Sequence, residues 1–261
     1  KQAGVDNPQL DARLLAGHAL GLNRAEILSQ SGRVLTDKEM GAVEGLLAQR
    51  AVGKSVGRIV GKREFWGLDF GLNEATLEPR PDSETLVEAV LKLGRGKKCI
   101  LDLGTGTGCL LLALLHEMPD ATGVGIDIAP RAVEQAAKNA EALGLGGRAK
   151  FRVGNWFSGT TEKFDVIISN PPYIATTEIQ TLMREVREHD PLRALDGGKD
   201  GLDVYRSLIP QLTDFLNPQG LVAFEVGEGQ AKQVADLLRR NGFANVTTHK
   251  DLGGVERCVM A

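Results

Sequence analysis

Two oxygen acceptors side by side can hold both hydrogens of a planar NH2 group, and the run Asn170-Pro171-Pro172-Tyr173 offers such a pair. Proline removes backbone donors and fixes φ. The Asn170 side-chain carbonyl and the Pro171 backbone carbonyl therefore remain as acceptors on a stiff turn, with Tyr173 as an aromatic wall. An amino group held in this way presents its nitrogen lone pair to an electrophile carried by a cofactor. A plain Asn-Pro-Pro turn at a strand end is the alternative without chemistry, and the residues upstream argue against it. Asp102-Leu-Gly-Thr-Gly-Thr-Gly108 leaves a β-rich run and enters a helical one. Glycines there allow a tight turn and close approach of a ligand, while the helix start offers free N–H groups. The spacing is GxGxG, short of the full dinucleotide fingerprint, so alone it is a weak sign of NAD. Nineteen residues after Gly108, Asp127 closes the next β-rich run. A carboxylate at that point can accept from both hydroxyls of a ribose lying across the glycine turn, or simply cap the helix that begins at Pro130. Asn155 and Trp156 follow the third run and could meet an adenine edge and face; for Trp156 ordinary core packing is the alternative.

These residues need elements to bring them together, and the pattern supplies them. Residues 1 to about 53 read as helices only, with Asn7-Pro8, Asn23 and the Thr36-Asp-Lys-Glu39 capping box as starts and Gly53 as a stop. From Val56 to Leu77 apolar residues alternate among glycines, which reads as a β-hairpin between two domains. Ser83 then opens a helix. Beyond Gly94 short β-rich runs at 98–103, 122–127, 149–153, 164–169 and 220–226 alternate with helical runs at 108–118, 130–143, 202–216 and 229–241. That alternation predicts a mostly parallel sheet with helices on both faces, and a final hairpin near 245–260 adds one antiparallel strand. Ligands of such open sheets bind at the carboxyl ends of the strands, where each of the runs named above arrives.

Composition narrows the field. With 42% hydrophobic and 25% charged residues, the 261-residue chain can bury one substantial core and a small second domain. No apolar stretch approaches the ~20 residues of a membrane span. The opening residues carry no apolar run, and read as a trimmed or processed start rather than a signal peptide, with a cytoplasmic location as the default. Cys99, Cys109 and Cys258 form no CxxC pair and read as three small buried hydrophobes, and the four scattered histidines give no reason to expect a metal. A net charge of −3 argues against holding duplex nucleic acid by charge. The charged stretch from Met183 to Asp200 reads as a solvated loop, or as a lid.

The glycine run, Gly125-Ile-Asp127 and Ser169-Asn-Pro-Pro-Tyr-Ile174 together resemble the class I S-adenosylmethionine-dependent methyltransferases that act on amide or exocyclic amino nitrogens. Further blocks narrow the likeness to the HemK-type release-factor glutamine methyltransferases. They are Arg63-Glu-Phe-Trp-Gly-Leu68, Pro79-Arg-Pro-Asp-Ser-Glu84, Asn155-Trp-Phe157, Ala194-Leu-Asp-Gly-Gly198 and Phe224-Glu-Val-Gly227, spread over nearly the whole chain.

The resemblance implies an α/β fold of the Rossmann-like class I methyltransferase type, mostly parallel with one antiparallel strand. It implies a helical substrate-binding domain over 1–53, a β-hairpin linker over 54–80 and a methyltransferase domain over 81–261. Gly104, Thr105, Gly106, Thr107 and Gly108 would line the methionine and ribose part of S-adenosylmethionine, Asp127 would hold the ribose, and Asn155 and Trp156 would contact the adenine, with Asn170 close to the cofactor. Asn170, Pro171, Pro172 and Tyr173 would bind the glutamine amide, and Asn170, Pro171 and Tyr173 would be the catalytic group. The substrate implied is the glutamine of the Gly-Gly-Gln motif in class I peptide-chain release factors. The Asn-Pro-Pro-Tyr run alone is also compatible with a ribosomal-protein glutamine methyltransferase or an adenine-N6 nucleic-acid methyltransferase, whereas its intact form speaks against a non-catalytic docking module. The motif holds no His or Lys to act as a strong base, which points to in-line displacement with the proton leaving afterwards. Asn155 stands where the family more often has Asp, Ser55 where it has Pro and Glu78 where it has an apolar residue.

Overall fold

The computed structural model describes residues 7–30 and 32–261. Residues 1–6, the start read above as processed and the first part of the expected helical domain, lie outside them. In chain order four helices come first: α1 (Pro8–Leu20), α2 (Arg24–Ser29), α3 (Asp37–Ala51) and α4 (Val56–Val60). A hairpin of β1 (Lys62–Phe65) and β2 (Leu68–Gly71) follows. Next come α5 (Glu84–Leu93), β3 (Cys99–Leu103), α6 (Cys109–Glu117), β4 (Thr122–Asp127), α7 (Pro130–Ala142), β5 (Ala149–Val153) and β6 (Phe164–Ser169). The chain ends with α8 (Arg184–His189), α9 (Asp203–Leu208), α10 (Leu212–Phe215), β7 (Leu216–Glu225), α11 (Ala231–Arg240), β8 (Thr247–Lys250) and β9 (Glu256–Met260). Two compact units result, one of residues up to 62 with 183–189, the other of 63–182 with 190–261.

In the smaller unit the helix starts follow from their side chains. Asn23 and Glu26 close a reciprocal capping box on α2, and Thr36 and Glu39 close another on α3. Asn7 makes no such bond, and α1 starts on Pro8 alone, whose φ suits the first helical turn. The expected β-run from Val56 is helical through Val60, because the Ser55 side chain accepts the Arg58 N–H at 3.2 Å and caps α4. Pairing begins only at Lys62. α8 belongs to this unit: Arg50 bonds Asp11 at 2.7 Å and Glu185 at 3.0 Å, and the stem of Arg184 packs against Gly53. The expected 183–200 loop thus contains a helix.

In the larger unit the described residues form a seven-stranded sheet in the order β5-β4-β3-β6-β7-β9-β8. The first five strands run parallel and β9 lies antiparallel to both its neighbours, which is the single reversed strand expected. Consecutive residues of β3 explain why it is central. Ile100 and Leu101 are both fully buried, the first in a cluster with Val87, Leu111 and Leu114, the second in a cluster with Tyr205, Val222 and Leu238 on the other face. The hairpin joins the first cluster through Phe65 and Phe70, whose rings meet edge to face. The buried Asn139 of α7 ties it down: its Oδ1 accepts the Gly71 N–H at 2.9 Å, and its Nδ2 donates to the carbonyls of Gly71 and Thr107.

The helix expected over 202–216 is broken, since Pro210 lacks the N–H that the ladder needs. It becomes α9, a 3-10 turn (Ile209–Gln211) and α10, and β7 starts at Leu216 rather than at 220. Only Cys258 of the three cysteines is buried. Cys109 is half-buried, and Cys99 is exposed because it opens β3 at the surface, its N–H bonded by Asp165. Among the described residues no helix is long and apolar enough to cross a membrane.

Candidate active site

At the carboxyl ends of β3 to β6 the chain encloses a cavity of about 290 Å³. Gly104 to Thr107, Asp127, Asn155, Trp156, Asn170 and Pro172 form its walls, so most of the residues singled out from sequence meet there. Gly104 and Gly106 have positive φ, 73° and 56°, as a tight strand-to-helix turn requires. A Cβ on Gly106 would meet no atom within 4 Å, so the absence of a side chain leaves ligand space rather than packing space. One on Gly104 would come within 3.4 Å of the Trp156 ring, which stands beside the turn as an aromatic wall. Gly108 differs. Its missing Cβ makes room for Leu112, Ala136 and Phe151, and it does not reach the cavity.

Asp127 makes no side-chain cap on α7, whose N-cap residue is Ala129, and instead ties together two backbone amides from the end of β4. Its Oδ1 accepts the Ala129 N–H ahead of α7 and its Oδ2 accepts the Gly106 N–H, each at 2.9 Å. A carboxylate has about four acceptor sites, so both oxygens retain capacity towards the cavity. Beneath the turn Asp102 is fully buried and receives the Thr105 hydroxyl at 2.6 Å, while its Oδ1 has no hydrogen-bond partner among the described residues. Burial above all, with the charge of Asp127 adding, pushes its pKa up to about 7 against the pull of Thr105. Cys109 lines the cavity, but burial drives its thiol up to about 12 and leaves it protonated. Asn155 sits exposed on the rim.

The Asn-Pro-Pro-Tyr turn leaves β6 at the same edge. The Asn170 Nδ2 donates to Ser83 Oγ at 3.3 Å, which turns Oδ1 away from Ser83 and leaves it as the free acceptor. Pro172 lines the cavity while Pro171 is buried behind it. Tyr173 is not the wall its position suggested: its hydroxyl points inward and donates to Glu225 Oε1 at 3.3 Å, and its carbonyl accepts from Gln230. Ser83 opens α5 as expected, but its side chain makes no cap bond and meets Asn170 instead, since the 3-10 turn Pro81–Ser83 already leads into the helix.

Sequence reasoning passed over several walls. Arg80 and Arg193 both line the cavity, and Arg80 is fixed by a 2.6 Å bond to the nearly buried Asp190. Glu78 lines it too and faces Arg63 at 3.5 Å, so this nearly buried carboxylate has a cation beside it. An arginine held between Pro79 and Pro81 was the available signal for the first.

A family model described as a methyltransferase domain matches residues 95–250, and one described as the PrmC N-terminal domain matches residues 1–61. A release factor glutamine methyltransferase of Rhodospirillum rubrum is 52% identical over 263 residues, covering 100% of this chain and 81% of that protein. Its counterpart in Bradyrhizobium diazoefficiens is 46% identical over 267 residues, covering 100% and 90%. The chain belongs to the release factor glutamine methyltransferase family. Solved structures agree on the fold. The hMettl16 catalytic domain superposes with a TM-score of 0.62 at 18% identity, covering 82% of this chain and 81% of that one. A methyltransferase from Pyrococcus furiosus gives 0.57 at 19%, covering 83% and 97%.

Proposed function

We propose that this protein transfers a methyl group from S-adenosylmethionine to the side-chain amide nitrogen of the glutamine in the Gly-Gly-Gln motif of class I peptide-chain release factors, in the cytoplasm. The observation that carries the reading is the tie from Asn170 Nδ2 to Ser83, which leaves a fixed carbonyl acceptor at the cavity. When bound, the cofactor supplies an electrophilic methyl group. Gly104, Thr105, Gly106 and Thr107 would hold its methionine and ribose part by close backbone approach, with Gly108 shaping the bend behind them. Asp127 would accept from the ribose hydroxyls, Trp156 would face the adenine, and Asn155 would offer an acceptor to the adenine amino group.

An amide nitrogen is a poor nucleophile because its lone pair is delocalised into the carbonyl. Asn170 Oδ1 and the Pro171 carbonyl would accept its two N–H groups, aim the nitrogen along the line of displacement and stabilise the positive charge that grows on it. The methyl group would pass to the nitrogen with its bonding electron pair left on the cofactor, and the nitrogen, made acidic by its new bond, would release one proton to water. Pro172 and Tyr173 hold the turn rigid. The small helical unit exposes Leu10, Leu14, Leu28 and Met40, which suits a protein substrate.

Labelled methyl transfer tests the reading. We expect label in a purified class I release factor, and none in the same factor with its Gly-Gly-Gln glutamine replaced, in ribosomal protein or in adenine-containing DNA. Label in either of the last two, with the release factor unlabelled, overturns it.

A further inference from the structure

Glu225 closes β7 with 1% of its surface exposed, between Phe224 and Val226, both fully buried, and opposite Cys258 in the ladder. A carboxyl in such a place costs stability that an apolar residue would not, so its presence calls for a task. Its surroundings point to one. Tyr173 donates its hydroxyl to Oε1 at 3.3 Å, and the Ser83 hydroxyl, which accepts the Asn170 Nδ2 at 3.3 Å, is a neighbour that pulls the carboxyl's pKa down. Oε2 has no hydrogen-bond partner among the described residues. We propose that Glu225 is a positioning residue, whose ionised carboxyl orients the Asn170 side-chain amide through Ser83 and holds the Asn170 turn through Tyr173.

The argument is one of donors and acceptors. Ser83 has a single hydroxyl proton. Aimed at an ionised Glu225, it leaves the Ser83 lone pairs for Asn170 Nδ2, so Oδ1 faces the cavity as an acceptor. A protonated Glu225 donates to Ser83 instead. The Ser83 proton then turns to Asn170, the amide is stabilised in its flipped form, and its NH2 opposes the NH2 of the substrate.

The other groups facing Glu225 leave this choice open. The Tyr205 hydroxyl donates to the Glu225 backbone carbonyl and spares the carboxyl. Arg257 is the facing cation but is shared with Asp82 and Asp251, and Asp82 opposes it. The thiols of Cys109 and Cys258 are both driven up, mainly by burial, and stay neutral. Burial pushes Glu225 up, with Ser83, Tyr173 and Arg257 pulling back, to about 7, so the two forms exchange near neutral pH.

The proposal rests on the glutamine-methylation reading above, and the test separates the two. Steady-state kinetics with S-adenosylmethionine and a class I release factor are run from pH 5.5 to about 9 on the wild type, Glu225→Gln and Ser83→Ala. The wild-type kcat is expected to rise with pH through about 7. Glu225→Gln, whose amide donates to Ser83 as the protonated acid would, should lose that rise, with kcat at pH 8 about tenfold lower and KM for the cofactor within about twofold. A folded Glu225→Gln with wild-type kcat, or with the rise intact, overturns the proposal and leaves the function standing. Should Glu225→Gln fail to fold, Ser83→Ala decides: loss of the rise supports the relay and its persistence overturns it. No label on the release factor from the wild type overturns both readings.

Discussion

The Asp127 carboxylate and the Gly106 amide are joined by a 2.9 Å hydrogen bond that locks the end of β4 onto the turn between β3 and α6. A side chain that faces the cavity thus also fixes the backbone beside it. Because Ala129 holds the second oxygen, the carboxylate has little freedom to rotate, and its spare acceptor sites point in directions set by the fold.

Asp127→Ala should therefore weaken S-adenosylmethionine binding by about 2–3 kcal/mol, the worth of charge-assisted bonds lost from a partly buried site. Asp127→Asn, which keeps one carbonyl acceptor, should fall between. Calorimetric titration of the cofactor measures both, and an unchanged affinity in the alanine variant would remove Asp127 from the ribose site.

Asn170→Ala leaves the glycine turn and Asp127 untouched and deletes the fixed acceptor. Its kcat should drop roughly a hundredfold, the scale seen when one preorganised group facing a developing charge is lost. Cofactor affinity should stay within about threefold. Equal losses in both measurements would mean that Asn170 serves mainly to bind the cofactor.

Asn139→Leu tests the anchor of the hairpin. It would strand the Gly71 N–H and the carbonyls of Gly71 and Thr107 in a site where Asn139 is only 4% exposed. A loss of about 2–4 kcal/mol in urea unfolding is expected. A loss below about 1 kcal/mol would show that Phe65 and Phe70 hold the hairpin without it.

Asp102 makes the protein less stable as pH rises. The unfolded chain gives up this proton near the ordinary 3.8, whereas burial, chiefly, makes the folded chain keep it to about 7. Between those values the folded state binds more protons than the unfolded state, so stability falls with increasing pH and levels off above about 7. Asp102→Asn retains an acceptor for Thr105 and removes the titration. Its stability relative to the wild type should improve by a few kcal/mol between pH 4 and 8. A difference that stays constant over that range would contradict the assignment.

The sequence by itself determined the order and type of the main elements, because period-2 and period-3.6 patterns, capping boxes and glycine stops act over a few residues. Thr36 with Glu39, the glycine turn after β3 and the single reversed strand β9 are of this local kind. It also placed Gly104, Asp127, Trp156 and Asn170 on one edge, since a parallel sheet brings its strand ends together. Where local signals competed the pattern misled: Ser55 capped a helix inside an alternating run, and Pro210 cut a helix that periodicity had continued. Only the tertiary structure decided which way side chains face. Gly108 serves packing, Tyr173 turns inward to Glu225, and Ser83 meets Asn170 across 87 positions of chain. Those outcomes depend on desolvation and on hydrogen-bond partners brought together by packing, and no spacing along one strand records them.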